Sequence, residues 1–197
     1  MTVFKNTYMI MRHGQSEANV ADIVVSDPKI GCVNFGLSAL GKEQAKQAAI
    51  GCRDAQIDLI YCSDFMRTRE TADIVAKVLA LNSPIKDIRL RERYFGDYEG
   101  LSSLSYEAVW EKDALDSDQA ERRVESTACV RARTLDVIAD LECRHTDKVI
   151  LLVSHGDALQ ILSSAFHHIA SGLHRTLPHH ETGEIKTLIR RGASKTF

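Results

Sequence analysis

The chain has 197 residues and a mass of 21.9 kDa, which fits one domain with a core of its own. Hydrophobic residues make up 44% and charged residues 26%, the balance of an ordinary globular protein. The formal net charge of −2 gives no indication of a nucleic-acid or membrane-surface partner.

The apolar stretch at the N-terminus is too short for a signal peptide, and no run reaches the ~18 apolar residues of a membrane span. The five cysteines are odd in number and form no Cys-x-x-Cys pair, which argues against a disulfide framework or a zinc site. We therefore expect a reducing, cytoplasmic environment.

The first third of the chain predicts a strand, a loop and a helix. Tyr8-Met9-Ile10-Met11 is an apolar run typical of a buried strand, and it stops at the polar turn Arg12-His13-Gly14. Residues 16–36 show no sustained period and predict a long loop with one helical turn. Ser38 is the expected N-cap of the next helix. That helix places four small residues on one face: Ala45, Ala48, Ala49 and Cys52.

A second strand is predicted at Leu59-Ile60-Tyr61-Cys62, ending at the polar pair Ser63-Asp64. A helix follows, with Ala72, Val75, Ala76 and Leu79 on one face. A third, weaker strand is expected over residues 85–90, after Pro84.

The middle of the chain has a weaker pattern. Residues 91–117 predict a loop with a short helix at about 104–110, and residues 118–144 predict a long helix. On that helix we interpret Arg131 and Arg133 as part of a solvated charged face.

The clearest strand is Val149-Ile150-Leu151-Leu152-Val153, which is wholly apolar and so expected at the centre of a covered sheet. It stops at Ser154-His155-Gly156, and a helix is predicted over 157–170. Residues 185–190 alternate with period two, as an edge strand does.

Strands that alternate with helices predict an α/β fold, a three-layer α/β/α domain with a mostly parallel central sheet and one antiparallel edge strand. We expect residues 1–197 to form a single domain, with residues 91–125 as a short helical and loop insertion near the active site.

Three predicted strands end in polar residues, and in α/β sheets ligands bind outside the carboxyl ends of the strands. The convergence of His13, His155 and two arginines makes a basic pocket suited to phosphate, because guanidinium groups match phosphate geometry. Imidazole is a competent nucleophile towards phosphorus, and a carboxylic acid is needed to protonate the leaving oxygen. Glu92 could supply that acid; the alternative is a solvated ion-pair cluster with Arg91 and Arg93.

Five motifs resemble, in order, those of the histidine phosphatase superfamily, in its phosphoglycerate-mutase-like branch. They are Met11-Arg12-His13-Gly14-Gln15-Ser16-Glu17-Ala18-Asn19, the helix segment 37–45, Ser63-Asp64-Phe65-Met66-Arg67-Thr68-Arg69-Glu70-Thr71-Ala72, the segment 90–100 around Glu92, and Val153-Ser154-His155-Gly156. Arg-His-Gly alone would be a weak signal, whereas five ordered motifs over residues 11–156 are specific.

This resemblance implies that His13 attacks phosphorus and becomes phosphohistidine. It implies that Glu92 protonates the leaving group and then deprotonates the attacking water or alcohol. The implied phosphate ligands are Arg12, Asn19, Arg67 and His155. The motif favours Arg67 over Arg69. No metal or cofactor is implied, because the arginines and a protonated His155 neutralise the phosphate, and the expected partner is a small phosphorylated substrate.

Three functions stay open: a phosphatase, a phosphoglycerate mutase with the same catalytic residues, and a non-catalytic phosphate-binding module. The third would lack a catalytic residue, and none is lacking. Gln15 stands where many mutases have glutamate. The segment between Gly100 and Ser126 is shorter than the lid of the glycolytic mutases, which favours hydrolysis.

The remaining acids and histidines have no firm role in the sequence. Asp97, Glu99 and Glu17 are the next candidates if Glu92 is not the acid. A metal site is not favoured at His167, His168, His174, His179 and His180, because adjacent histidines on a helix point to different faces. His179, His180 and Glu181 could instead line the substrate pocket.

Overall fold

The computed structural model describes residues 2–195. A central sheet has five strands in the order β4-β3-β5-β2-β6. Their bounds are β2 Thr7–Arg12, β3 Leu59–Cys62, β4 Ile85–Lys86, β5 Val149–Ser154 and β6 Ile185–Ile189. All neighbouring pairs are parallel except β2 with β6, which is antiparallel at the sheet edge. The short strands β1 (Thr2–Val3) and β7 (Ser194–Lys195) pair separately.

Helices cover both faces of the sheet. They are α1 Glu17–Val20, α2 Pro28–Gly31, α3 Ala39–Gly51, α4 Met66–Leu79, α5 Ser105–Leu115, α6 Thr127–Arg144 and α7 Gly156–Phe166. The apolar run of β5 is buried on both sides: Ile150 and Leu152 belong to the core under α6 and α7, whereas Leu151 and Val153 belong to the core under α3 and α4. The predicted three-layer α/β/α fold, with its parallel sheet and antiparallel edge, is confirmed.

The helix predicted from Ser38 is present, and the Ser38 hydroxyl accepts a hydrogen bond from the Gly41 amide. The strand expected over 85–90 is wrong beyond Lys86. The Asp87 carboxylate accepts from the Arg89 amide, and this cap turns residues 88–90 into a 3₁₀ turn.

The helix expected over 118–144 begins only at Thr127, where the Ser126 hydroxyl accepts from the Cys129 amide as N-cap. Residues before this cap form a loop, because Arg122 and Arg123 take left-handed backbone angles that no helix contains. The helix predicted to run to residue 170 ends at Phe166.

All five cysteines are unpaired thiols. Within residues 2–195, no helix has the length and apolar character needed to cross a membrane.

Arg93 is wholly buried in an ion-pair network beside the sheet, not solvated as one interpretation of the sequence held. Its guanidinium donates to both Asp113 oxygens at 2.5 and 2.7 Å, and to Asp157 at 3.3 Å. The Gln119 amide donates to Asp113 at 2.6 Å. Because Arg93 and Asp113 lie in segment 91–125 and Asp157 opens α7, the network ties that segment to the sheet layer. We therefore propose that the chain is a single domain with 91–125 as an insertion.

We expect Asp113→Ala to lower the free energy of unfolding by about 3–5 kcal/mol, because removing one partner leaves the buried Arg93 charge uncompensated. Denaturant titration measures this loss. The matched control is Asp97→Ala, which breaks an Arg–Asp pair with Arg123 whose side chains are 75% and 43% exposed, and it should change stability little. Equal losses in the two variants would contradict a structural role for the buried network.

Candidate active site

A pocket of about 250 Å³ opens at the carboxyl ends of the strands. Five of the six predicted site residues line it: Arg12, His13, Asn19, Arg67 and Glu92. The sixth, His155, is buried and hydrogen-bonded to Arg67. The side chains that the motifs single out are therefore brought together, although residues 13 and 155 are far apart in sequence.

The turn after β2 is held by its neighbours. The His13 amide donates to the Ser154 carbonyl at 3.0 Å, which continues the β2–β5 ladder, and the Gly14 amide donates to Thr71 Oγ1 of α4 at 3.1 Å. A Cβ at Gly14 would lie 2.3 Å from the Gly41 carbonyl oxygen, so only glycine allows α3 to pack this closely. The turn therefore fixes the backbone position from which the His13 side chain extends.

The His13 imidazole is oriented so that one of its ring nitrogens is free to accept. Nδ1 lies 2.7 Å from the Gly14 carbonyl oxygen, an acceptor only, so Nδ1 carries the proton and Nε2 has the free electron pair. Burial lowers the pKa of His13 well below its usual value, and the charges of Arg67 and Arg12 add to the effect. The ring is therefore unprotonated at neutral pH.

Arg67, on the first turn of α4, lies between the two histidines. Its Nε is 3.1 Å from His13 Nε2 and 3.2 Å from His155 Nδ1, and its Nη2 donates to the Val25 carbonyl at 3.0 Å. Its Nη1 is buried and has no hydrogen-bond partner among the described residues. One donor of this guanidinium therefore remains for a ligand.

His155 is also neutral in this structure. Because Nδ1 faces the Arg67 donor, the proton is on Nε2, which lies 3.0 Å from the Ser63 hydroxyl oxygen. Burial, and then the charges around it with Arg67 foremost, lower the pKa of His155 well below its usual value. The protonated form implied by the family resemblance requires the added negative charge of a phosphoryl group.

Arg12 and Asn19 present donors to the same pocket. The Arg12 Nε is buried and unpartnered within residues 2–195. Asn19 closes a capping box on α1, in which its Oδ1 accepts from the Ser16 amide at 3.0 Å. With Oδ1 occupied, Nδ2 is the Asn19 atom that a phosphate oxygen could meet.

Glu92 is placed over the start of α7. Its Oε1 accepts from the Arg93 amide at 2.9 Å and from the Ala158 amide at 3.2 Å. The pKa of Glu92 is raised, chiefly by burial and then by the charge of Asp157, against the opposing charge of Arg67. Burial outweighs the neighbouring arginines, and Arg91 is turned away to Asp64, with bonds of 2.8 and 2.6 Å.

The other acids named from the sequence are placed elsewhere. Glu99 accepts bonds from Ser26 and the Asp27 amide, Asp97 pairs with Arg123, and Glu17 is exposed on α1. Arg69 donates to the Cys32 carbonyl and does not line this pocket.

Arg133 supports the loop that carries Glu92, a role that its sequence pattern did not indicate. The solvated face expected for Arg133 is wrong: its guanidinium donates to the carbonyls of Arg89, Arg91 and Glu92 at 2.7, 2.8 and 3.1 Å. Arg133 therefore positions the backbone on which Glu92 stands. Arg131 likewise bonds to Ser164 and the Ile169 carbonyl instead of facing solvent alone.

Further pocket walls also went unassigned in the sequence. Trp110 stacks on Tyr106, and the Arg175 guanidinium carbon lies 3.8 Å from the Trp110 ring centre. Arg175 also lines the pocket, and so does His179, which the sequence named with His180 and Glu181 as a possible pocket residue; the latter two do not line it. An aromatic pair at i, i+4 on a short helix after the acid motif was the available signal.

The remaining histidines have varied surroundings. His174 is buried, with Nε2 2.9 Å from Asp157 Oδ1, and His180 is buried with Nε2 2.9 Å from the Glu184 carbonyl oxygen. His167 and His168 are exposed. Residues 2–195 contain no group of three or more His, Cys, Asp or Glu side chains that could hold a metal ion.

The fold and site define a class: an α/β protein with a pocket lined by histidine, arginine and glutamate side chains at the carboxyl ends of its strands. The family model of the histidine phosphatase superfamily (branch 1) matches residues 8–196. The chain is 32% identical over 172 residues to the glucosyl-3-phosphoglycerate phosphatase of Mycolicibacterium vanbaalenii, which covers 80% of this chain and 72% of that one. It is 34% identical over 158 residues to a probable phosphoglycerate mutase GpmB of Photorhabdus laumondii, covering 78% and 71%.

Among solved structures, a mycobacterial glucosyl-3-phosphoglycerate phosphatase in complex with VO3 superposes with a TM-score of 0.78 at 27% identity, covering 91% of this chain and 88% of that one. The chain belongs to the histidine phosphatase superfamily and is an enzyme of that superfamily. The resemblance drawn from its motifs is confirmed.

We expect Arg67→Ala to raise the barrier of the phosphoryl-transfer step by about 2–4 kcal/mol, the scale of losing one donor to transition-state charge. The ratio of kcat/KM between wild type and variant measures it. Arg69→Ala, on the same helix but outside the pocket, is the matched control and should have much less effect. Equal losses would contradict the assignment of Arg67.

Proposed function

We propose that this enzyme is a phosphatase that hydrolyses small phosphomonoesters through a phosphohistidine on His13, without a metal ion. The observation that carries the proposal is the pair of buried guanidinium nitrogens, Arg12 Nε and Arg67 Nη1, that lack partners beside the His13 ring. Buried donors are costly unless they are bonded, and phosphoryl oxygens are the acceptors that suit guanidinium groups. The arginines supply positive charge that Mg²⁺ supplies in other phosphoryl-transfer enzymes.

The proposed chemistry has two steps. His13 Nε2 attacks phosphorus, the bond from phosphorus to the leaving oxygen breaks, and Glu92 gives that oxygen its proton. The P–N bond of phosphohistidine is then cleaved by water, whose proton passes to the Glu92 carboxylate, and inorganic phosphate leaves. Arg12, Asn19, Arg67 and His155 bind the phosphoryl oxygens in both steps.

For His13 Nε2 to attack, Arg67 must give up its bond to that nitrogen. The phosphoryl group can replace this bond, because its oxygens accept from the same guanidinium. The added negative charge also favours protonation of His155, so that His155 becomes a donor to phosphate.

Hydrolysis is favoured over transfer to a second substrate because segment 101–125 is short. It forms α5 and a loop, whose Val109 and Val124 pack against Phe95. A phosphoglycerate mutase is the alternative, and the GpmB relative supports it. Release of phosphate by hydrolysis, as against isomerisation of phosphoglycerate, distinguishes the two.

The leaving group of the substrate meets the wall formed by Tyr106, Trp110 and Arg175. Arg175 donates to the neutral Gln160 side-chain oxygen, so its positive charge remains available to an anionic leaving group. Glucosyl-3-phosphoglycerate, named for the mycobacterial relatives, and phosphoglycerate carry a carboxylate and head the candidate substrates. With unpaired cysteines, we also propose a cytoplasmic location.

The function is tested by assaying a panel of phosphorylated metabolites, sugars and peptides for phosphate release in EDTA. We expect the wild-type enzyme to release phosphate in the presence of EDTA and to form an acid-labile phosphoenzyme. His13→Ala should lose both, because no nucleophile remains, whereas His167→Ala, outside the pocket, should keep both. A phosphoenzyme in His13→Ala would overturn the nucleophile assignment, and loss of activity in EDTA restored by one divalent ion would overturn metal independence.

The role of Glu92 is tested with two leaving groups. Glu92→Gln should reduce kcat/KM by roughly 10²–10⁴-fold for an alkyl phosphate, whose leaving oxygen needs a proton. The loss should be much smaller for p-nitrophenyl phosphate, whose leaving group departs unaided. Since the pKa of Glu92 is raised, wild-type activity on the alkyl phosphate should fall as the pH rises through that pKa, and this limb should vanish in the variant. Equal losses for both substrates would show that Glu92 only positions phosphate or supports the fold.

A further inference from the structure

The loop of residues 177–184, between a 3₁₀ segment and β6, is hydrogen-bonded to the backbone of Arg12 and His13 at the catalytic turn. The Gly183 amide donates to the carbonyls of Arg12 and His13, with N–O distances of 3.0 and 3.1 Å. The Arg12 amide donates to the Glu184 carbonyl at 3.3 Å. The loop and the turn therefore form one hydrogen-bonded unit at the pocket.

The same loop also holds the Arg12 side chain. Arg12 Nη1 donates to the His180 carbonyl oxygen and to His179 Nε2, and each of the two N–O and N–N distances is 2.9 Å. On another side the guanidinium packs on Gly156, where a Cβ would lie 3.3 Å from Arg12 Cζ and Nε. Held in this way, Arg12 keeps Nε buried and unpartnered among the described residues, as the donor left for a ligand.

The hydrogen bond to His179 depends on the protonation state of its acceptor, whereas the bond to the His180 carbonyl does not. An imidazole nitrogen accepts a hydrogen bond only when it is unprotonated, and protonated His179 would place a second positive charge against Arg12. The charged groups that act on His179 are the cations Arg12, Arg175 and Lys186 and the carboxylate of Glu181. Burial, followed by the charge of Arg12, lowers the pKa of His179 below its usual value, so the accepting state prevails at neutral pH.

We propose that His179 is a positioning residue for Arg12: its neutral imidazole holds the guanidinium so that Nε faces the phosphoryl group, and protonation of His179 releases it. This inference rests on the proposed function only in that Arg12 binds phosphate. Phosphate affinity should therefore weaken on acidification, over and above the titration of phosphate itself.

The test compares His179→Ala and His179→Gln with wild type, and uses His167→Gln, an exposed histidine outside the pocket, as control. The readout is the affinity for inorganic phosphate, measured by calorimetry between about pH 4 and 8, a range that extends downwards because the pKa of His179 lies below its usual value. His179→Ala should weaken binding at pH 8 by roughly 10-fold or more, since a bond to a charged group is lost. His179→Gln should restore most of it, because its side-chain oxygen can take the position of Nε2 and accept from Arg12.

The pH dependence separates positioning from a merely structural role. The ratio of wild-type to His179→Gln affinity should fall on acidification, because only wild type loses its acceptor, and the titration of phosphate cancels in that ratio. A constant ratio across the pH range, or unchanged affinity in His179→Ala, would overturn the proposal.

A second measurement does not depend on phosphate or turnover. The pKa of His179, followed by NMR, should rise in Arg12→Gln, whereas that of His167 should stay unchanged. An unmoved His179 pKa would show that the two side chains do not interact and would overturn the proposal. Because binding and titration need no catalysis, a protein without phosphatase activity would still give a clear result, which separates this inference from the proposed function.

Discussion

The buried charge of Arg67 is the constraint on which the active site depends. Its bonds within residues 2–195 go to neutral acceptors, namely two imidazoles and the Val25 carbonyl, and one nitrogen has none. A buried guanidinium is ordinarily compensated by an anion in contact with it. Here that compensation is incomplete, and we expect a phosphoryl group to complete it. Burial, and then the charge of Arg67, lower the pKa values of His13 and His155, so the arrangement that favours an anion also leaves both rings unprotonated.

Glu92 lies near the positive charge of Arg67, yet its pKa is raised, which favours its neutral form. The field is weakened at this point because Arg91 is paired with Asp64, and because Arg93 is paired with Asp113. Burial and the charge of Asp157 then dominate. A neutral nucleophile and a protonated acid around one phosphate are the pair that phosphoryl transfer to histidine requires near neutral pH. Burial is thus what separates the two pKa values, because it lowers that of His13 and raises that of Glu92.

Local sequence was sufficient for the features set by local rules. The apolar run of β5 and the polar residues at the ends of β2, β3 and β5 predicted both the sheet and the place of the site, since strand ends meet at one edge. The prediction for Arg133 was wrong because it depended on contacts between residues distant in sequence. Arg133 has the pattern of a solvated helix residue, and only the passage of the acid loop across α6 turns it into a support. The prediction of a strand beyond Lys86 was wrong because the Asp87 side chain caps a 3₁₀ turn there.

The position of the pocket in the fold explains how its unpartnered donors are tolerated. Buried donors without partners, and imidazoles held neutral by burial and by neighbouring charges, reduce the stability of the free enzyme. Arg12 ends β2 and Arg67 lies on the turn of α4 that follows β3, and both strands are flanked on both sides by neighbouring strands, which hold their backbones in place. An anion bound there removes part of this cost and stabilises the folded chain by mass action. A donor that is fixed in this way and lacks a partner therefore favours an anion, which we expect to be the phosphoryl group.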